Sequence, residues 1–138
     1  MTSPRNRARR LALQALYQWI MSENDPREIA KQLREDAGGR IDLDYFDRLF
    51  PAISESRSEL QQHLEPVLDG RRLDPVEQAV IWLGTFELAG QSDVPYRVVI
   101  DESVELAKVF GATDSYKYVN AVLDKLAPRL RGDEAAAG

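Results

Sequence analysis

The fold turns on the stretch DPVEQAVIWLGTFELA, residues 74–89. Asp74 can accept a hydrogen bond from the Glu77 amide while the Glu77 carboxylate reaches back to the Asp74 amide, a reciprocal cap that opens a helix. Pro75 sits at the first helical position, where its fixed φ fits and its missing amide costs nothing. A long helix from Pro75 to Ala89 follows. The same signal recurs upstream: Ser3-Pro4 starts a first helix reaching about Ser22, and Asp25-Pro26-Arg27-Glu28 starts a second, which Gly38-Gly39 ends. Asp42 caps a third, whose Leu43, Phe46, Leu49, Phe50 and Ile53 recur at helical spacing, with Pro51 expected to kink or split it. A short helix spans about Glu59 to Leu68. After a connector from Ser92 to Val94, Pro95 opens a sixth helix with Val99, Ser103, Leu106 and Phe110 on one face, stopped by Gly111. A seventh runs from about Asp114 to Leu130. No useful length alternates with period two. The expectation is an all-α fold: a single compact bundle of about seven helices over residues 1–131, with a flexible tail at 132–138.

With 138 residues, 43% of them hydrophobic and 30% charged, the chain has the size and composition of one globular domain. It has no cysteine, so neither disulfide nor thiolate chemistry is available. Gln14 and Gln18 interrupt the apolar stretch behind the basic start, which makes a poor secretory signal. No run approaches the roughly 18 apolar residues of a membrane span. A soluble cytoplasmic protein, with no membrane partner, is expected.

Charge is unevenly placed. Arg5, Arg7, Arg9 and Arg10 fall within the first ten residues with no acid among them, and the remainder carries 14 basic against 23 acidic side chains. A cationic head on an anionic body suggests two partners, one polyanionic and one basic. On a helical wheel of about 100° per residue, Tyr17, Arg10, Gln14, Arg7 and Gln18 fill a polar arc opposite Leu11, Ala15, Trp19, Ala12, Leu16, Ile20 and Leu13. Arg5 and Arg9 continue the apolar face one turn further and should overhang the rim of the core. Guanidinium groups beside an aromatic and amides suit a single-stranded nucleic acid: charge for phosphates, planes for stacking, amides for base edges. A solvated arginine cluster fits the same residues. On the last helix Tyr118 lies at the edge of the apolar face between Lys117 and Lys125, and reads either as a stacking platform or as a half-buried core tyrosine.

Catalysis has little to work with. There is one histidine, His63, among Gln61, Gln62 and Glu65, and it reads as solvated. There is no glycine-rich phosphate loop and no serine with an evident base. Asp101 and Glu102 are consecutive, so on a helix they point about 100° apart. No enzyme activity, metal or cofactor is expected.

The run Ser92-Asp93-Val94-Pro95-Tyr96, then Glu102, Glu105-Leu106-Ala107-Lys108, Phe110-Gly111, Asp114-Ser115 and Val119-Asn120 with Val122-Leu123-Asp124-Lys125, closely resembles the NusB family of transcription antitermination factors. Arg9, Gln14-Ala15-Leu16-Tyr17 and Trp19 near the start, with Glu77 and Glu87 in the middle, extend the match over nearly the whole chain. The resemblance implies a NusB-like helical fold that pairs with the ribosomal protein NusE and binds boxA RNA. It also implies attachment to the elongating RNA polymerase complex through other Nus factors and suppression of premature termination, notably in ribosomal RNA operons. It places Arg5, Arg7, Arg9 and Arg10 near RNA, with Asp114, Lys117 and Tyr118 in a C-terminal RNA-contacting cluster, and Tyr17 and Glu77 on or near the NusE side. Tyr118 stands where phenylalanine is usual, Trp82 where arginine is usual, Ala121 where glycine usually follows Val-Asn, and Arg10 where glutamate can occur. Two other readings stay open: a helical interaction module or homodimer without an RNA role, and a recognition domain like those preceding RNA cytosine methyltransferase domains.

Overall fold

The computed structural model describes residues 3–137, without the side chains of 133, 136 and 137. Residues 1, 2 and 138, which belong to the expected domain and tail, lie outside the described residues. Seven helices follow in order: α1 (Pro4–Ser22), α2 (Pro26–Asp36), α3 (Leu43–Glu55), α4 (Arg57–Leu68), α5 (Pro75–Gly90), α6 (Tyr96–Phe110) and α7 (Ser115–Ala137). Among the described residues there is no strand.

The caps read from the sequence are formed. Ser3 Oγ accepts from the Asn6 amide at 3.1 Å, Asp25 Oδ1 from Arg27 at 2.9 Å and Asp42 Oδ1 from Tyr45 at 3.0 Å. At α5 both halves of the reciprocal cap are present: the Glu77 amide donates to Asp74 Oδ1 at 2.9 Å and the Asp74 amide to Glu77 Oε1 at 3.3 Å. Each such cap satisfies an amide left without an intrahelical partner and contributes about 1 kcal/mol.

Helix α5 is the axis of the bundle. It packs against α1, α3, α4, α6 and α7, and its residues from Ala79 to Thr85 are all buried, as expected of a helix enclosed on every side. The Thr85 hydroxyl donates to the Ile81 carbonyl at 2.7 Å. Gly84 lets α6 and α7 close onto α5, because a Cβ there would meet Ser103 Oγ and Leu123 Cδ1 at 2.9 Å. On the other side α1 and α3 pack together, with α2 laid across both. Tyr45, Phe46, Phe50 and Trp82 are the largest side chains of the core.

Three local features differ from the sequence reading. Helix α3 is not split at Pro51 but continues to Glu55. Proline removes one intrahelical hydrogen bond there, whereas buried Phe46, Leu49, Phe50 and Ile53 hold both halves to the core. Helix α7 passes Leu130, and after an irregular residue at Gly132 (φ 39°, ψ −106°) helical backbone resumes. The tail expected from residue 132 is therefore tied down near its start: Glu134 Oε2 accepts from the Tyr96 amide at the head of α6 at 2.8 Å, and Glu134 Oε1 pairs with Arg131 at 2.9 Å. The Tyr96 amide, reinforced by Arg131, holds the Glu134 carboxyl below its ordinary range. Arg131 in turn donates to the carbonyls of Leu88, Glu87 and Gln91 at 2.6, 3.0 and 2.9 Å, closing the C-terminus of α5. One turn of α7 thus caps two other helices.

The third is Trp82. Its indole is buried, donates to Gln61 Oε1 at 3.1 Å and packs against Trp19 at 6.0 Å between ring centroids. Arg57, from the start of α4, lies 5.6 and 5.8 Å from the Trp19 and Trp82 rings. A cation from a neighbouring helix accompanies the tryptophan. Ala121 is exposed, so its methyl group meets no packing constraint. No helix among the described residues is long and apolar enough to cross a membrane.

Candidate nucleic-acid interface

The arginine head divides into residues that face solvent and one that does not. Arg9 is 3% exposed. Its Nε lies 2.9 and 3.1 Å from the two oxygens of Glu87, its second terminal nitrogen donates to Glu87 Oε2 at 2.9 Å, and its first donates to Asn6. The Tyr45 hydroxyl donates to the same carboxylate at 2.5 Å. Burial works against the Arg9 charge, yet the hydrogen bonds and field of Glu87 outweigh it and leave its pKa above the ordinary value. Burial and then the field of Glu87 push the Tyr45 hydroxyl well up, so it stays protonated and keeps donating. Arg9, expected near RNA, is thus buried, and each of its three guanidinium nitrogens donates within this chain.

Arg5, Arg7 and Arg10 form no ion pair with any described carboxylate. Arg5 lies over the Tyr45 ring at 4.4 Å from its centroid, half-buried on the α3 side. Arg7 and Arg10 rim a groove of about 570 Å³ whose floor includes Leu11, Leu13, Ile41 and Val76, with Tyr17 and Phe110 among its walls. Tyr17 and Phe110 are 41% and 47% exposed, and the Arg10 guanidinium lies 5.8 Å from the Phe110 ring. Phe110 shares one face of α6 with Val99, Ser103 and Leu106, yet they are buried and it is exposed. It is the last residue of that helix, where there is no further turn to cover it, and it stands in the groove wall. Its place just before Gly111 was the available signal.

The C-terminal cluster lies beyond the turn that follows Phe110. Asp114 adopts a left-handed conformation (φ 68°), which aspartate tolerates better than most residues, and its carboxylate pairs with Lys117 Nζ at 3.3 Å, both side chains exposed. Tyr118 is half-buried, and its hydroxyl donates to the Leu68 carbonyl at 3.3 Å. Burial pushes this hydroxyl up in pKa, with Arg71 pulling the other way. Arg71 covers the Tyr118 ring at 3.7 Å from its centroid and reaches Glu77 Oε2 at 3.3 Å. Glu77 is 4% exposed, one oxygen holding the Asp74 amide and the other Arg71. Sequence reasoning passed over Arg71, since a basic residue in a connecting loop carries no periodic signal.

Two groups of site residues result, one around the groove and one around Arg71. Arg7, Arg10, Tyr17 and Phe110 share the groove with Val76; Glu77 is the next residue of α5; Arg71 joins Glu77 to Tyr118. Among the described residues no group of histidine, cysteine and carboxylate side chains could hold a metal ion.

A seven-helix bundle with an arginine-rimmed, aromatic-walled groove is the class that this fold and site define. The chain belongs to the NusB family, whose model matches residues 6–128. It is 50% identical to the transcription antitermination protein NusB of Pseudomonas savastanoi pv. phaseolicola, over 99% of this chain and 84% of that one. To the Pasteurella multocida protein of the same name it is 49% identical, over 93% and 91%. Among solved structures it is similar to T. maritima NusB, with a TM-score of 0.83 and 30% identity over the full length of both chains. It is also similar to a chain of the complex of antitermination factors NusB and NusE with double-stranded RNA, with a TM-score of 0.83 and 25% identity over 94% and 99%.

Proposed function

We propose that this chain is a cytoplasmic transcription antitermination factor that pairs with NusE to bind boxA RNA. Through other Nus factors it joins elongating RNA polymerase and suppresses premature termination, notably in ribosomal RNA operons. It is not an enzyme. The observation that carries the site reading is the groove rimmed by Arg7 and Arg10 and walled by Tyr17 and Phe110, together with the cluster in which Arg71 joins Tyr118 to Glu77. The solved complex of NusB and NusE with double-stranded RNA, to a chain of which this one is similar, supports the pairing with NusE and RNA. Arg5, Arg7, Arg10 and Lys117 supply charge to phosphates, Asp114 orients Lys117, and Tyr118 offers a stacking face. Tyr17 and Glu77 form the NusE side, and the exposed apolar part of the groove, between Tyr17 and Phe110, adds apolar area to the surface the two ligands share.

Net charge decides how the two ligands cooperate. At −5 overall, the body repels the polyanion that the head attracts, so the isolated chain binds RNA weakly and a basic partner offsets the repulsion. Titrating labelled boxA RNA with the chain alone and with NusE should therefore show much tighter binding in the mixture. Equal affinities would refute the proposal.

Phosphate contacts are diagnosed by salt. Arg7→Ala and Arg10→Ala should each flatten the dependence of log K on log salt by roughly one unit, with binding weakened about equally across RNA sequences. A slope unchanged from the parent takes that residue out of the interface.

A further inference from the structure

Arg71 occupies two contact residues at once. Its guanidinium lies 3.7 Å from the Tyr118 ring centroid, covering one face of the ring, and 3.3 Å from Glu77 Oε2. The Glu77 side chain is only 5% exposed, while that of Arg71 is 49% exposed. A basic group approaching Glu77 therefore meets Arg71 first, and a base approaching this face of Tyr118 meets the same guanidinium. We propose that Arg71 is a shared lid, whose displacement by either ligand uncovers the contact residue of the other and so makes RNA and the basic partner bind cooperatively.

This inference rests on the assignment of Tyr118 to RNA and Glu77 to the partner. The physical basis is competition. A cation of the partner replaces Arg71 at Glu77, charge for charge, and Arg71 loses the anchor that holds it over the ring. A base stacking on Tyr118 removes the aromatic face under the guanidinium, and the carboxylate loses part of its cover. Because the coupling is a property of equilibrium affinities, each ligand must tighten the other by the same factor. The lid can open without unpacking a helix, since Arg71 lies in the connection between α4 and α5 and its side chain is 49% exposed.

Arg71→Ala tests it, because three explanations predict three different sign patterns. An open lid gives tighter binding of each ligand measured separately: labelled boxA RNA to the chain without NusE, and NusE to the chain without RNA. Each gain should be about three- to tenfold. The factor by which NusE enhances RNA binding should shrink by a similar amount. Simple charge removal would instead tighten the basic partner and weaken the polyanion. Loss of a direct RNA contact would weaken RNA with and without NusE. Either of those patterns, or an enhancement factor equal to the parent's, overturns the lid. Arg71 lies in the connection between α4 and α5 and is half exposed, and circular dichroism should confirm that the variant keeps the parent's helix content. A parent chain that fails to bind boxA RNA in the presence of NusE would refute the functional assignment itself, whereas normal parent binding with a null Arg71→Ala result refutes only the lid.

Discussion

Replacing Arg9 with alanine should lower the unfolding free energy by about 3–5 kcal/mol, the typical cost of leaving one charge of a buried pair without its partner. Glu87 is 1% exposed and would keep only the Tyr45 hydroxyl. Glu87→Ala should be comparably harmful, since it strands the guanidinium. The two single losses should not add: the Arg9→Ala, Glu87→Ala double variant removes both charges, and its loss should be markedly smaller than the sum of the single losses. Urea denaturation of the four proteins completes the cycle. Additive losses would mean that the pair is not the structural unit described here and would reopen Arg9 as a surface residue.

Tyr118→Ala should weaken RNA binding by the NusE-bound chain by about 1–3 kcal/mol, the range seen for removal of an aromatic stacking platform. Affinity for NusE without RNA should not fall. Tyr118→Phe should retain most of the RNA affinity, because it keeps the ring and loses only a 3.3 Å hydrogen bond to the Leu68 carbonyl. The outcome that defeats the stacking role is an alanine variant that loses stability and NusE binding while RNA binding falls only in proportion. Tyr118 would then be a packing residue joining α7 to the end of α4.

These two residues also show how far the sequence reaches. The wheel of α1 placed Arg9 above the apolar face, away from the arc of Arg7, Arg10, Gln14 and Tyr17, so its departure from the other arginines had a local sign. What the wheel lacks is the anion. Glu87 lies 78 positions away, and only the packing of α1 on α5 brings the two together. For Tyr118 the wheel located the ring at the edge of the packed face, and the structure agrees that it is half-buried. The guanidinium covering it comes from a loop that no periodicity describes. Phe110 shares a face with buried Val99, Ser103 and Leu106 yet is exposed, because helical spacing assigns a face but not where a helix ends relative to its neighbours.

Local chemistry determined the helices. Ser3, Asp25, Asp42 and Asp74 cap their own amides within three residues, the prolines after Ser3, Asp25 and Asp74 suit first helical turns, and apolar spacing sets which side is buried. Such interactions span only a few residues and can be read in order along the chain. Tertiary structure alone decided which charges remain available to a ligand. An arginine's fate depends on whether an acceptor from another element reaches it before solvent does, and that depends on helix packing, as with Arg9 at the Glu87 carboxylate, Arg71 at that of Glu77 and Arg131 at the carbonyls ending α5. The energy of such a contact is set by burial and by the partner's position, neither of which is a property of the residue itself.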